Sequence, residues 1–120
     1  MLFHSTRGGD KDKDFASILM QGLADDGGLF MPDHWPQVDL EKIKGLQSFV
    51  EVAKEIVPLF TASSFTQAET IKIVENTWHD FEHQDLVGIQ TIENISILEL
   101  FHGPTAAFKD FGLQLAAAFF

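Results

Sequence analysis

Lys109 is the residue of this sequence whose setting best suits covalent chemistry. It follows the loop Phe101-His102-Gly103-Pro104-Thr105 and is the only lysine after Lys72. Phe108, Phe111, Leu113 and Leu115 surround it in sequence, so a charged amine there would be costly to bury. With Thr105 as the expected N-cap, Lys109 falls in the first or second turn of a helix, where the positive end of the dipole disfavours a second positive charge. Desolvation and the dipole are both expected to lower its pKa, and the neutral amine is the form that attacks an aldehyde. Residue types alone leave a second reading open, a lysine that snorkels to solvent. Asp110 is adjacent, but successive helical residues point about 100° apart, so it is expected to serve the helix N-terminus and not the lysine. His102 is expected to act structurally in the loop, with substrate orientation as the alternative.

Three other groupings have the residue types for chemistry. His79-Asp80-Phe81-Glu82-His83 has the spacing H-x-x-E-H. On a helix, that spacing sets two imidazoles about one turn apart with a carboxylate between them, as a zinc hydrolase requires. A solvated helix end, with histidines favoured near the C-terminal dipole, explains the same residues without metal, and no metal is assigned. Arg7, after Ser5-Thr6 and before Gly8-Gly9, offers a guanidinium, a hydroxyl and amides to a phosphate, or else lies in a mobile terminal loop. Gly27-Gly28 permits close approach to a ligand, but a turn with positive φ explains it equally.

The elements that must position these residues can be read from spacing. Residues 2–6 are expected to pair as an edge strand before the polar loop 8–13. Asp14 is a candidate N-cap for a helix that Gly22 stops, and Leu29-Phe30-Met31 reads as a brief buried extended segment. Ser48 with Glu51, and Thr66 with Glu69, have capping-box spacing. They predict two helices packed as a hairpin, the first kinked or ended early by Pro58 and the second running to about residue 81. Residues 86–92 and 96–101 read as two strands, and 106–120 as a largely buried helix. The polar loop at 82–85 is the only candidate boundary, dividing residues 1–85 from 86–120.

Composition narrows the function classes. One ordinary domain is expected from 120 residues that are 45% hydrophobic and 22% charged. Twelve Phe and no Tyr give the aromatic surface almost no polar handle, so most rings should seek the interior or an interface. Without Cys there is no disulfide, thiolate metal site or thiol nucleophile. The net charge of −10 disfavours nucleic acid and anionic membranes as partners. No apolar run approaches the roughly 20 residues that span a bilayer, and no secretory signal is seen, so a cytoplasmic location is expected.

The string Phe101-His102-Gly103-Pro104-Thr105-Ala106-Ala107-Phe108-Lys109-Asp110-Phe111 resembles the lysine segment of threonine synthases, in the tryptophan-synthase-β-like class of pyridoxal phosphate enzymes. Gln21-Gly22-Leu23-Ala24-Asp25-Asp26-Gly27-Gly28-Leu29-Phe30-Met31-Pro32 resembles the glycine-rich segment near the start of those enzymes, and Ser5-Thr6-Arg7 is a third match. Ala106 departs from the bulkier Leu or Tyr of that pattern. The resemblance implies an α/β fold: an amino-terminal helical region, then the first strand-loop-helix of a fold-type II cofactor domain. It implies an enzyme, a lyase of threonine biosynthesis converting O-phospho-L-homoserine and water to L-threonine and phosphate. Lys109 would be both the catalytic and the cofactor-binding residue, holding pyridoxal 5'-phosphate. The phosphate cup and ring contacts would lie beyond Phe120, so the remainder of the chain is an expected partner and residues 1–120 alone are expected to be inactive. A phospho-lyase or dehydratase of the same cofactor class, the zinc hydrolase and a stand-alone non-catalytic interaction domain are the alternatives.

Overall fold

A computed structural model describes all 120 residues. Strand β1 (Phe3–Ser5) pairs antiparallel with β2 (Phe30–Pro32), Phe3 opposite Pro32 and Ser5 opposite Phe30. Between them lies helix α1 (Phe15–Gln21). The Asp14 side chain accepts from the Ser17 N–H at the start of α1, and Gly22 ends it at φ +75°. β2 does lie in the segment expected to be extended, but Leu29 and Met31 are exposed and not buried. A two-stranded ribbon has no layer behind it to cover both faces.

A short helix α2 (Leu40–Lys44), which spacing did not reveal, is capped by Asp39 and precedes the main helical pair. That pair is α3 (Phe49–Thr61) and α4 (Gln67–Glu75), started by Ser48 and by a complete Thr66/Glu69 capping box. Pro58 neither ends nor shortens α3, which continues through it to Thr61. An interior proline costs about 3 kcal/mol, and tertiary packing offsets it here. Pro58 is buried, and the fully buried Thr61 and Thr70 hydroxyls hydrogen bond across the two helices at 2.8 Å. The turn between α3 and α4 caps a third helix, because the Ser63 and Ser64 hydroxyls accept from the Phe15 and Ala16 N–H groups of α1.

α4 stops at Glu75, six residues short of the expected end at 81. Asn76 Nδ2 and Thr77 Oγ1 donate to the carbonyls of Lys72 and Ile73, and Trp78 at φ +64° turns the chain away. Tertiary contact drives this turn, since it inserts the Trp78 indole into the core.

Strands β3 (Gly88–Ile92) and β4 (Ile95–Glu99) form an antiparallel hairpin around Glu93-Asn94, with Ile92 opposite Ile95 and Gly88 opposite Glu99. Helix α5 (Lys109–Ala118) follows. It begins three residues later than expected, and Thr105 does not cap it; Phe108 occupies that position without a side-chain cap bond. Nor is α5 largely buried, since Asp110 is its only buried residue. Both faces of the hairpin are open: Ile89 and Leu98 on one, and Ile92, Ile95 and Ile97 on the other, are exposed.

Two aromatic clusters fix α5. Trp78 packs edge-on against Phe49 with centroids 5.0 Å apart, and Phe111 meets Phe49 at 5.2 Å and Phe81 at 4.8 Å. Ala53, Val74 and Leu86 complete this core. At the other end of the helix, Phe119 meets Phe15 and Phe65 at 5.1 Å each. No helix is long and apolar enough to cross a membrane.

Candidate active site

The segment from β4 to α5 presents Lys109, and it is tied down on both sides. On the strand side, the His102 ring meets Glu99 Oε2 at 2.9 Å, stacks near His83 with centroids 4.8 Å apart, and accepts the Glu82 N–H at its carbonyl. His102 is therefore a structural link from the 82–83 turn to the hairpin. On the helix side, the Thr105 hydroxyl and N–H donate to the two oxygens of Asp110 at 2.7 and 2.9 Å. The Thr105 hydroxyl is the chief reason the Asp110 carboxyl sits below the usual carboxylate range, and the Thr105 and Ala107 N–H groups act in the same direction. Gly103 lies against that carboxylate so closely that any β-carbon would collide with it. Asp110 thus anchors the loop, a role the adjacency argument missed. The signal available in the sequence was Thr105 five residues before a carboxylate.

Lys109 is exposed, at the first position of α5, and its side chain has no hydrogen bond or ion pair within the chain. The expected burial among apolar side chains is not met within these residues, because Phe108 and Leu113 also face outward. Exposure leaves the amine unengaged, and an unengaged primary amine at a loop-helix junction is the donor chemistry that fits an aldehyde cofactor. A groove of about 760 Å³ opens beside the loop, lined by residues including Ser48, Phe49, His83, Asp85, Glu99 and His102, but not by Lys109.

The Arg7 and Gly27-Gly28 groupings form one unit at the β1-β2 ribbon. Asp26 accepts from the Ser5 hydroxyl at 2.6 Å and from the N–H groups of Gly9 and Gly28 at 2.7 and 2.9 Å. Arg7 Nη1 donates to the Asp26 carbonyl at 2.9 Å. A side chain at Gly28 would collide with Ser5 Oγ, which gives this glycine a packing reason. No hydrogen bond joins this unit to the Lys109 loop. Residues 79–83 form turns, not a helix, so the H-x-x-E-H spacing does not set its imidazoles one helical turn apart. His83 turns instead to His102, and no cluster of three metal-ligating side chains exists.

A family model described as "Threonine synthase N terminus" matches residues 2–78. The chain is 42% identical over 119 residues to a threonine synthase of Pseudomonas aeruginosa, covering 96% of this chain and 25% of that protein. It is 38% identical over 120 residues to one of Schizosaccharomyces pombe, covering 97% of this chain and 23% of that protein. The crystal structure of a pyridoxal phosphate-bound threonine synthase from Brucella melitensis superposes with a TM-score of 0.86 at 40% identity, over 98% of this chain and 26% of that one. The architecture described above is therefore the α/β fold of the amino-terminal region of pyridoxal phosphate threonine synthases. The chain belongs to the threonine synthase family and spans about a quarter of the length of the relatives it matches.

Proposed function

We propose that this chain is the amino-terminal part of an enzyme that converts O-phospho-L-homoserine and water to L-threonine and phosphate, with Lys109 as its cofactor-holding and catalytic lysine. Residues 1–85 are read as the amino-terminal domain and 86–120 as the start of the cofactor domain, the two sharing the core around Trp78 and Leu86. The observation that carries the reading is the presentation of Lys109, an unengaged amine on a loop locked on both sides, in a chain of this family.

Pyridoxal phosphate, when bound, supplies an electron sink for the carbanions formed at the substrate. Lys109 Nζ would hold the cofactor. When free, the same Nζ would move protons at the α and β carbons of the substrate, so one side chain would serve covalent and acid-base roles. The loop contributes orientation: Thr105, Gly103 and Asp110 fix the backbone from which the lysine extends. A small-molecule substrate, no nucleic-acid partner, no membrane partner and a cytoplasmic location complete the reading, of which the net charge of −10 supports the exclusion of nucleic acid and anionic membranes.

Lys109→Ala in the full-length protein tests it. The variant should fold, lose the visible absorbance of the bound cofactor and fall in rate by at least about 10² to 10⁴, the usual worth of acid-base help alone. Borohydride fixation with peptide mapping should place the pyridoxyl mass on Lys109, and its appearance on another lysine would overturn the assignment. Release of 2-oxobutyrate in place of threonine would favour a phospho-lyase of the same cofactor class.

A further inference from the structure

We propose that Asp110 is a positioning residue for Lys109: by closing the loop through Thr105 it fixes the backbone from which the reactive amine extends. The inference rests on the reading of Lys109 given above and adds a second residue to it.

Asp110 is 4% exposed and is the only buried residue of an otherwise exposed or half-buried helix. A carboxylate in that setting needs partners, and both of its oxygens are taken by one residue, Thr105, through the hydroxyl and the N–H. The closed segment runs from Thr105 to Asp110, and Lys109 is its last residue before the closure. Within it, Ala106 sits at φ +55°, a left-handed conformation disfavoured for a residue with a β-carbon. Two backbone bonds, from Ala106 N to Gly103 O and from Asp110 N to Ala107 O, complete the turn. The carboxylate therefore holds a loop that would otherwise relax to other backbone angles. The Lys109 side chain is exposed and has no hydrogen bond or ion pair within the chain, so the backbone of the closed segment fixes the point and the Cα–Cβ direction from which its stem leaves. A reacting group misplaced by about 1 Å costs on the order of 10²-fold in rate, and the Thr105-Asp110 closure is what prevents that error here.

The test uses the full-length protein and four variants: Thr105→Val, Thr105→Ser, Asp110→Asn and Lys109→Ala. Thr105→Val removes one donor at an exposed position and should fold even if Asp110→Asn does not. Three quantities are read: kcat and KM for O-phospho-L-homoserine, the rate at which added pyridoxal phosphate becomes fixed to Lys109 by borohydride, and the melting temperature. We expect Thr105→Val and Asp110→Asn to lower kcat and the fixation rate together by about tenfold or more, with KM changed less than about twofold. Thr105→Ser, which keeps the hydroxyl, should restore both. Wild-type kcat and fixation in Thr105→Val would overturn the inference, as would losses in Thr105→Ser equal to those in Thr105→Val. Fixation of pyridoxal phosphate by the Lys109→Ala protein at the wild-type rate, on some other lysine, would instead overturn the underlying reading of the lysine, and the positioning role with it.

Discussion

The carboxylate of Asp26 accepts from the Ser5 hydroxyl and from the N–H groups of Gly28 and Gly9, and these donors, with Arg7 nearby, hold its pKa below the usual carboxylate range. Asp10 is lowered likewise, chiefly by the Asp25 N–H, with Gln21 and Lys13 adding to it. A carboxylate whose folded pKa lies below the unfolded value contributes stability that is fully present above the unfolded pKa of about 3.9. The contribution is lost as pH falls from there through the lower folded values. The denaturation midpoint of the full-length protein should therefore owe nothing to these groups' titration between pH 5 and 7 and should drop below about pH 4. Asp26→Asn should be less stable at neutral pH and show a shallower acid slope. Urea midpoints measured from pH 7 to pH 3 would check this, and identical acid slopes in parent and variant would count against it.

Among the elements, the turn after α4 is tied to α5 through Trp78. Trp78 is 5% exposed, packs on Phe49 and donates from Nε1 to the Phe111 carbonyl at 3.0 Å, two residues past Lys109. Truncating so large a buried ring removes apolar contact and leaves a cavity, so Trp78→Ala should cost about 3–5 kcal/mol. Lys11→Ala, in the exposed loop between β1 and α1, should change stability by less than about 0.5 kcal/mol. Asp10 in the same loop should not be so tolerant, because it binds the Asp25 N–H at 2.8 Å. Equal shifts in melting temperature for Trp78→Ala and Lys11→Ala would refute the ordering.

For the whole molecule, the chain carries a lysine at a loop-helix junction but is about a quarter as long as the threonine synthases it matches. Exposed Phe101, Phe108, Leu113 and the isoleucines of the hairpin leave much apolar surface outside its two aromatic clusters. Effective catalysis needs a cofactor held in one orientation against the substrate, and a single amine cannot impose it. Residues 1–120 alone are accordingly expected to form no threonine from O-phospho-L-homoserine. Detection of threonine above an enzyme-free control would show that this part suffices.

Local chemistry was legible in the sequence, and long-range geometry was not. Asp14, Ser48 and Thr66 announce helix starts because a cap bonds N–H groups two or three residues away, within the span that spacing can read. The string around Lys109 likewise identified the family and the candidate lysine from contiguous residues. Helix ends were decided elsewhere: α3 passes Pro58 because Thr61 meets Thr70, and α4 stops because Trp78 is drawn toward Phe49 and Phe111. The joining of Ser5, Gly9, Asp26 and Gly28 into one unit, and the turning of Asp110 back onto Thr105, depend on a carboxylate finding donors that the folded backbone delivers. Residue types declare which groups need partners; only the tertiary structure decides which partners reach them, because burial and backbone direction are properties of the whole chain.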